Sequence, residues 1–299
     1  FANPRTLLFV PGNQPRMLEK AIGFEVEWLI PDLEDSVPSV EKIEARKIVA
    51  EHLPSLAGAG KRLVPRVNSI STGLTEADIS AVVSADIVGI SIGKVGSVED
   101  IETIDSMLSA AEEKADIPDG NTMILPWIET AEAVINAYAI CKSSQRIHWA
   151  AFGAEDFSAD MAISRNVDDP AGEGTKASHE PGLAYPRSAV AVATRAAGVH
   201  ALDTPFTKFT DSEGLRTEAN LAKSVGYKGK LAIHPAQIEI IESVFRPSHE
   251  EIDRARRVLK FAAEAEAVGR GTASMDGEMI DMPVILRARN IIRDAGQGM

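Results

Sequence analysis

The sequence predicts an α/β fold: a (β/α)8 barrel followed by a C-terminal helical extension that serves as a lid. Three observations carry that expectation. Short β-branched or apolar runs alternate with longer stretches of helical period, eight times between Thr6 and Val244, and such alternation implies parallel strands joined by helical crossovers. Eight units at this length match the roughly 250 residues of a typical closed barrel. An open doubly wound sheet should carry a Gly-rich fingerprint after its first strand, whereas only Pro11-Gly12 follows here.

The strands expected are Thr6–Val10, Trp28–Leu33, Leu63–Val67, Ile87–Ile92, Met123–Ile128, His148–Phe152, Val199–Asp203 and Lys230–Ile233. The helices expected between and after them are Gln14–Ile22, Val40–His52, Glu76–Ser84, Val98–Lys114, Ala131–Cys141, Arg187–Ala197, Glu213–Val225 and Gln237–Val244. Asn166–Pro186 is rich in Pro and Gly and weak in periodicity, so it reads as a long loop after the sixth strand. Beyond Phe245, Ser248 reads as the cap of a helix that runs to Val268. A Gly-rich section, Gly269–Asp281, and a last helix from Pro283 to Ala295 complete the chain. The division expected is a catalytic barrel over residues 1–245 and an extension over 246–299 that covers the barrel or reaches a neighbouring subunit.

Composition narrows the function. The 299 residues include 44 acidic and 31 basic side chains, a formal charge of −13. Nucleic-acid binding needs a concentrated basic surface, so no nucleic-acid partner is expected. No apolar run approaches the 18–20 or so residues of a membrane helix, so no membrane partner is expected either. The first residues show neither an apolar signal region nor a basic amphipathic pattern. The single cysteine, Cys141, excludes an intrachain disulfide and any CxxC motif. The expected location is the cytoplasm.

Two literal motif matches fail on context. Gly60-Lys61 has Ser55 in place of the first Walker glycine and precedes a strand instead of following one. Gly89-Ile90-Ser91-Ile92-Gly93 matches GxSxG, but the helical pattern resumes only near Ser97, so Ser91 reads as a barrel-strand serine; a serine hydrolase is the rival it leaves. Among the histidines only His234 ends a strand on the functional rim.

The carboxylates are more informative. Glu129 ends the fifth strand and Asp156 follows the sixth, placing both at the C-terminal mouth where barrel active sites lie. Two carboxylates there can share one hard cation, since Mg2+ commonly takes one or two, with water and substrate oxygens completing its octahedron. Asp32, Glu34 and Asp35 end the second strand on the same rim and read as acids behind those ligands. Arg66, ending the third, offers a bidentate donor for a carboxylate or a developing oxyanion. The competing reading is a set of helix caps and surface acids.

In order along the chain, Leu8-Phe9-Val10-Pro11-Gly12, Asp32-Leu33-Glu34-Asp35-Ser36-Val37, Arg66-Val67-Asn68, Ile128-Glu129-Thr130 and Phe152-Gly153-Ala154-Glu155-Asp156-Phe157 resemble the citrate lyase β-subunit-like branch of the HpcH/HpaI aldolase superfamily. So do Ala201-Leu202-Asp203-Thr204, Gly229-Lys230-Leu231-Ala232-Ile233-His234-Pro235 and Met279-Ile280-Asp281. The resemblance implies a TIM barrel, dependence on Mg2+ (with Mn2+ as the alternative), and reversible C–C cleavage of a hydroxyacyl-CoA thioester into acetyl-CoA and an α-keto acid. It implies that Glu129 and Asp156 ligate the metal and that Arg66 meets the thioester carbonyl. Asp281 would be an acid/base group donated by a neighbouring copy, which makes a homo-oligomer, a trimer or hexamer, the expected assembly. Gly153, Ala154 and Glu155 would shape the keto-acid pocket. Phe9, Pro11, Gly12, Arg16, Lys20 and His234 would contact coenzyme A. Citrate lyase β-subunit action on an acyl-carrier-protein thioester, a thioesterase and a malate-synthase-like reaction remain alternatives. Two departures stand out: Gly93-Lys94 replaces the usual Pro-Lys, and Glu278 replaces the usual Lys three residues before Asp281.

Overall fold

The structure is a computed structural model and describes residues 4–163, 181–267, 269 and 273–296. The chain divides into two compact units, Phe1–Glu242 and Ser243–Met299.

The first unit is a closed parallel barrel. Strand β1 (Thr6–Pro11) leads to helix α1 (Pro15–Ala21), and β2 (Trp28–Asp32) leads to α2 (Lys42–Gly58). The third strand comes in two pieces, β3 (Arg62–Leu63) and β4 (Arg66–Val67), before α3 (Thr75–Val82). Then follow β5 (Gly89–Ile92), α4 (Val98–Lys114), β6 (Met123–Ile128), α5 (Ala131–Lys142), β7 (Trp149–Phe152) and the short α6 (Ala154–Asp160). Helix α7 (Pro181–Ala197), β8 (His200–Asp203), α8 (Ser212–Val225), β9 (Gly229–Ala232) and α9 (Ile238–Phe245) complete the series. The strands neighbour one another in chain order, every pairing is parallel, and β9 pairs with β1 to shut the barrel. All eight expected strands are present.

The break in the third strand has a local cause. Pro65 has no N–H, so it cannot donate to the ladder, and Pro31 opposite lacks one too. Val64 N–H bonds Leu29 O at 3.0 Å and Leu33 N–H bonds Arg66 O at 2.9 Å, so the strand resumes in register beyond the gap. That register sets Arg66 beside Asp32.

Inside the barrel, Leu7, Trp28, Ile30, Leu125, Trp127, Trp149, Leu202 and Leu231 form one buried cluster. The Trp28 and Trp149 rings meet edge to face, 5.2 Å apart. Burying each such side chain contributes about 1.5–3 kcal/mol. The outer helices bury their inner stripes: α4 hides Ile101, Ile104 and Leu108 and starts at a Ser97/Asp100 capping box. Arg146 fastens α4 to the strand below it through Glu112, its Nη1 and Nη2 at 2.9 and 2.8 Å from the two carboxylate oxygens. Cys141 is buried in α5, which pushes its thiol up to about 12.

The expected Asn166–Pro186 loop is corrected in part. Residues 181–186 open helix α7, with Pro181 at its first position, where a missing N–H costs nothing; 164–180 lie outside the described residues. Helix α6 was not anticipated, because seven residues are too few to show a period.

The second unit holds α10 (His249–Ala267), a hairpin of β10 (Ala273–Met275) and β11 (Glu278–Ile280), and α11 (Met282–Asp294). Its core is Ile252, Ala255, Val258, Met275, Ile280, Ala288 and Ile292. The hairpin stands where the sequence suggested only a Gly-rich section. Asp276 and Gly277 turn it with φ of 54° and 82°, the left-handed pair that Asp-Gly favours. Among the described residues no helix is long and apolar enough to cross a membrane.

Candidate active site

Glu129 follows directly on β6 and is 3% exposed. Its Oε1 accepts the Lys94 N–H at 2.7 Å. Among the described residues it makes no ion pair. Burial first, then the charge of Asp156, pushes its pKa up to about 8 despite the Lys94 N–H. Two glycines make room for it. A Cβ at Gly153 would lie 2.4 Å from Glu129 Oε2 and 2.5 Å from its Cβ, and one at Gly93 would lie 2.7 Å from Oε1. Gly153→Ala is therefore expected to displace this carboxylate, lowering divalent-metal affinity at least about tenfold, which calorimetry with Mn2+ would measure; unchanged affinity would show that the displaced acid has no part in binding.

Lys94 has φ of 57°, a left-handed conformation that costs a non-glycine residue about 1–2 kcal/mol. This turn aims its N–H at Glu129. The side chain reaches back to Glu34, Nζ to Oε1 3.4 Å. Burial lowers the Lys94 pKa, but Glu34, Asp35 and Asp156 outweigh it and the net shift is upward. Glu34 also faces Gly93, where a Cβ would lie 3.4 Å from each of its oxygens. Its pKa is raised by burial and by Asp35 and Asp32, against the pull of Arg66 and Lys94.

Asp156 sits in the first turn of α6, half-buried, with exposed Glu155 beside it. Ala154 is buried and its N–H donates to Thr204 Oγ1 at 3.1 Å. The Ala154 N–H is thus already engaged within the fold.

Arg66 differs from the expectation in one respect. Its fork is already engaged: Nε and Nη2 each lie 2.7 Å from an oxygen of Asp32. Only Nη1 turns elsewhere, toward Glu34 Oε2 at 3.0 Å and Asp35 Oδ2 at 3.2 Å. The bidentate pair is internal, and Nη1 is itself held by two carboxylates, so Arg66 has no free fork to offer a substrate. Phe9 and Trp127 flank the guanidinium, their centroids 4.7 and 5.7 Å from Cζ. Burial pulls the Arg66 pKa down, but Asp32 and its neighbours reverse this and the charge is permanent. Burial likewise raises Asp32, and Arg66 together with the Ser36 and Glu34 N–H groups brings it below the usual carboxylate range. Asp32 is therefore an anchor for Arg66 and not an acid in reserve.

Ser91 is fully buried within β5 and accepts the Trp127 Nε1–H at 2.7 Å. No helix opens at it, so it has none of the geometry of an exposed nucleophile; it holds Trp127 in place under Arg66.

The remaining rim residues lie on the β9–β1 side. Gly12 N–H bonds Asp32 O at 2.8 Å, and a Cβ there would stand 2.4 Å from that oxygen, so Pro11-Gly12 is locked against β2. Arg16 and Lys20 are exposed and, four apart, share one face of α1. His234 is exposed, with Nδ1 accepting the Ala236 N–H at 3.2 Å. Phe209, 49% exposed, stacks on it at 4.8 Å. Phe209 has no motif to mark it; its only signal in the sequence is an aromatic within the polar stretch Thr207–Asp211.

In the second unit, Asp281 is the N-cap of α11, its Oδ1 accepting the Val284 N–H at 3.2 Å. Exposed Met279 and Met282 flank it in sequence.

Among the described residues no three His, Cys or acidic side chains converge as a metal cage. A hard cation held by two carboxylates needs no third. Glu129 fits one: it is a buried oxygen donor, among negative neighbours, that a proton or a cation must neutralise.

A closed barrel with such a carboxylate and a pinned arginine at its C-terminal mouth defines a (β/α)8-barrel enzyme. Residues 5–235 match the model of the HpcH/HpaI aldolase/citrate lyase family, and the chain belongs to that family, which makes it a lyase-family enzyme. It is 37% identical over 289 residues to citrate lyase subunit beta of Leuconostoc mesenteroides subsp. cremoris, covering 97% of this chain and 92% of the relative. It is 29% identical over 298 residues to the mitochondrial citramalyl-CoA lyase of Rattus norvegicus, covering 96% and 85%. The crystal structure of the CitE protein of Mycobacterium tuberculosis in complex with magnesium, acetoacetate and coenzyme A superposes with a TM-score of 0.76 at 27% identity, covering 99% and 98%.

Proposed function

We propose that the chain is a Mg2+-dependent C–C lyase that cleaves, and in reverse forms, a 3-hydroxyacyl-CoA such as malyl-, citramalyl- or citryl-CoA, yielding acetyl-CoA and an α-keto acid. The observation that carries this is Glu129, a buried carboxylate near Asp156 with no cationic partner among the described residues. Magnesium and coenzyme A in the mycobacterial structure support the same reading.

Glu129 and Asp156 would hold the cation, Mg2+ or Mn2+. When bound, it supplies Lewis-acid polarisation of the oxygen that becomes the keto group. Arg66 would meet the thioester oxygen as it gains charge while the bond breaks, a contact of the kind typically contributing about 2.7–4 kcal/mol. Asp32, Phe9 and Trp127 hold that guanidinium still. Gly153, Ala154 and Glu155 line the keto-acid side, and Lys94 fixes Glu129 through its N–H. As the carbon–carbon bond breaks, the 3-hydroxyl gives up its proton and becomes the keto oxygen and, with no net proton exchanged, the enolate carbon takes one up. Asp281 would give it in cleavage and take it in condensation, with Oδ1 held by the α11 cap. In this scheme residues 1–245 bind and react, residues 246–299 deliver Asp281 to a neighbouring copy, and the enzyme is a homo-oligomer. Coenzyme A would lie across Phe9, Pro11, Gly12, Arg16, Lys20 and His234, where Arg16 and Lys20 meet its phosphates despite the acidic average.

The test is incubation of the purified chain with malyl-, citramalyl- and citryl-CoA in Mg2+, with products identified by mass spectrometry. One of them is expected to yield acetyl-CoA and its keto acid, and excess EDTA to abolish the reaction. Rates undiminished by EDTA would overturn the metal mechanism. A second reading, action on an acyl-carrier-protein thioester within a citrate lyase complex, is favoured by the 37% identity to a citrate lyase β subunit. It predicts turnover only with the carrier-protein thioester.

A further inference from the structure

Between β8 and β9 lies a group of charges that the proposed chemistry does not use. Lys230 is fully buried in β9, and its ammonium protons have three acceptors: Glu218 Oε1 at 2.5 Å, Asp203 Oδ2 at 2.6 Å and the Thr204 carbonyl at 2.7 Å. Arg187 of α7 closes the group, with Nε 3.0 Å from Asp203 Oδ1 and Nη2 3.7 Å from Glu218 Oε2. Tyr227 OH donates to the Arg187 carbonyl at 3.0 Å. Two cations and two carboxylates out of water are expensive unless geometry and hydrogen bonds satisfy them, and replacing such a group by apolar side chains often stabilises a fold. Its retention here asks what it holds in place.

Its outward connection is Thr204. The carbonyl is fixed by Lys230, and the hydroxyl accepts the N–H of Ala154, the first residue of α6. At its other end α6 is tied by Asp160, whose Oδ2 accepts the N–H of Ala131, two residues past Glu129, at 2.7 Å. Between these ties stands Asp156. A seven-residue helix has little stability of its own, so its position depends on such contacts.

We propose that Thr204, fixed by the buried Lys230 group, is a positioning residue for Asp156: it sets the first turn of α6 and thereby the distance at which Asp156 and Glu129 share a cation. This rests on the metal-ligand reading of Asp156. Thr204→Val keeps the shape and removes the acceptor; it is expected to weaken Mn2+ binding, followed by the paramagnetic resonance of the free ion, about five- to tenfold. Thr204→Ser, which keeps the hydroxyl, is expected to stay within about twofold of wild type. Thr204→Ala gives the same readout as the valine variant if the latter does not fold. Thr194→Val is the control for general loosening, because Thr194 is buried in α7 and its hydroxyl bonds only its own helix; it should lower Tm and leave Mn2+ affinity alone. Wild-type affinity in Thr204→Val, or an equal loss in Thr194→Val, overturns the inference. Asp156→Asn separates the two readings. If it abolishes Mn2+ binding while Thr204→Val does not alter it, only the positioning role falls; if it leaves binding intact, the ligand assignment falls and the positioning role with it.

Discussion

Glu129→Gln is expected to abolish metal-dependent turnover, by about a thousandfold or more, and to make the metal-free protein more stable at alkaline pH. The first part follows if Glu129 is the charged ligand proposed above, because a catalytic metal site typically supplies several kcal/mol of charge stabilisation. The second follows from linkage. In the fold Glu129 keeps its proton up to about pH 8, against an ordinary value of 4.5. The folded state thus binds that proton more tightly than the unfolded chain. The contribution is complete below about pH 4.5 and is lost as pH rises through about 8. In EDTA the wild-type Tm should fall across that window relative to the variant, by about 5 °C or more. Added Mg2+ should restore it in the wild type alone. Parallel Tm curves for the two proteins would show that Glu129 ionises freely, and the burial argument would fail.

Asp281→Ala should lower turnover about 10²- to 10⁴-fold, the usual scale for a general acid–base group, while leaving metal and thioester binding intact. The informative experiment is mixing. If Asp281 serves a neighbouring copy, an equimolar mixture of dissociated and reassembled Glu129→Gln and Asp281→Ala chains contains sites in which an intact barrel meets an intact Asp281. Part of the activity should return, although each parent is inactive. A mixture as inactive as its parents would place both residues in one chain's site. Wild-type turnover in Asp281→Ala by itself would remove that residue from the mechanism. The sequence of the extension suits such exchange: residues 243–299 carry nine basic and nine acidic side chains, so the whole net charge of −13 belongs to the barrel.

Much of the barrel was legible because each strand–helix unit is a local pattern. An apolar run such as Met123–Ile128 and a capped helix such as Val98–Lys114 announce themselves within a few residues, and closure follows from their number. Elements with no period of their own stayed hidden. Helix α6 is too short to show one, and Pro181–Pro186 resembles a loop in sequence because proline, usually a breaker, here opens a helix. The hairpin around Asp276-Gly277 was readable from that dipeptide and was masked by the glycines near it.

The site was legible as a set of residue types on one rim, and less so as a set of partnerships. Arg66 and the Asp32–Asp35 acids both stood out, but nothing local says that Asp32 occupies the guanidinium fork; the strand register decides it. Glu129 was marked by its place after a strand, whereas its partner is the backbone of Lys94, which no side-chain motif reports. The Lys230 group was invisible as a group: its members come from α7, β8, α8 and β9, and only folding assembles them.

The glycines beside Glu129 bear on how relatives of this chain can diverge. At position 153 an added methyl collides with the Cβ of Glu129 as well as with its carboxylate, so shortening the acid to aspartate brings no relief. A side chain at 153 would have to move the Glu129 side chain as a whole, from its Cβ outward. Position 93 meets only the tip of Glu129, with the two Glu34 oxygens 3.4 Å away, so a larger residue there needs only carboxylate tips to retract. One neighbour of the acid is held by its Cβ as well as its carboxylate, and the other only by carboxylate tips that can give way.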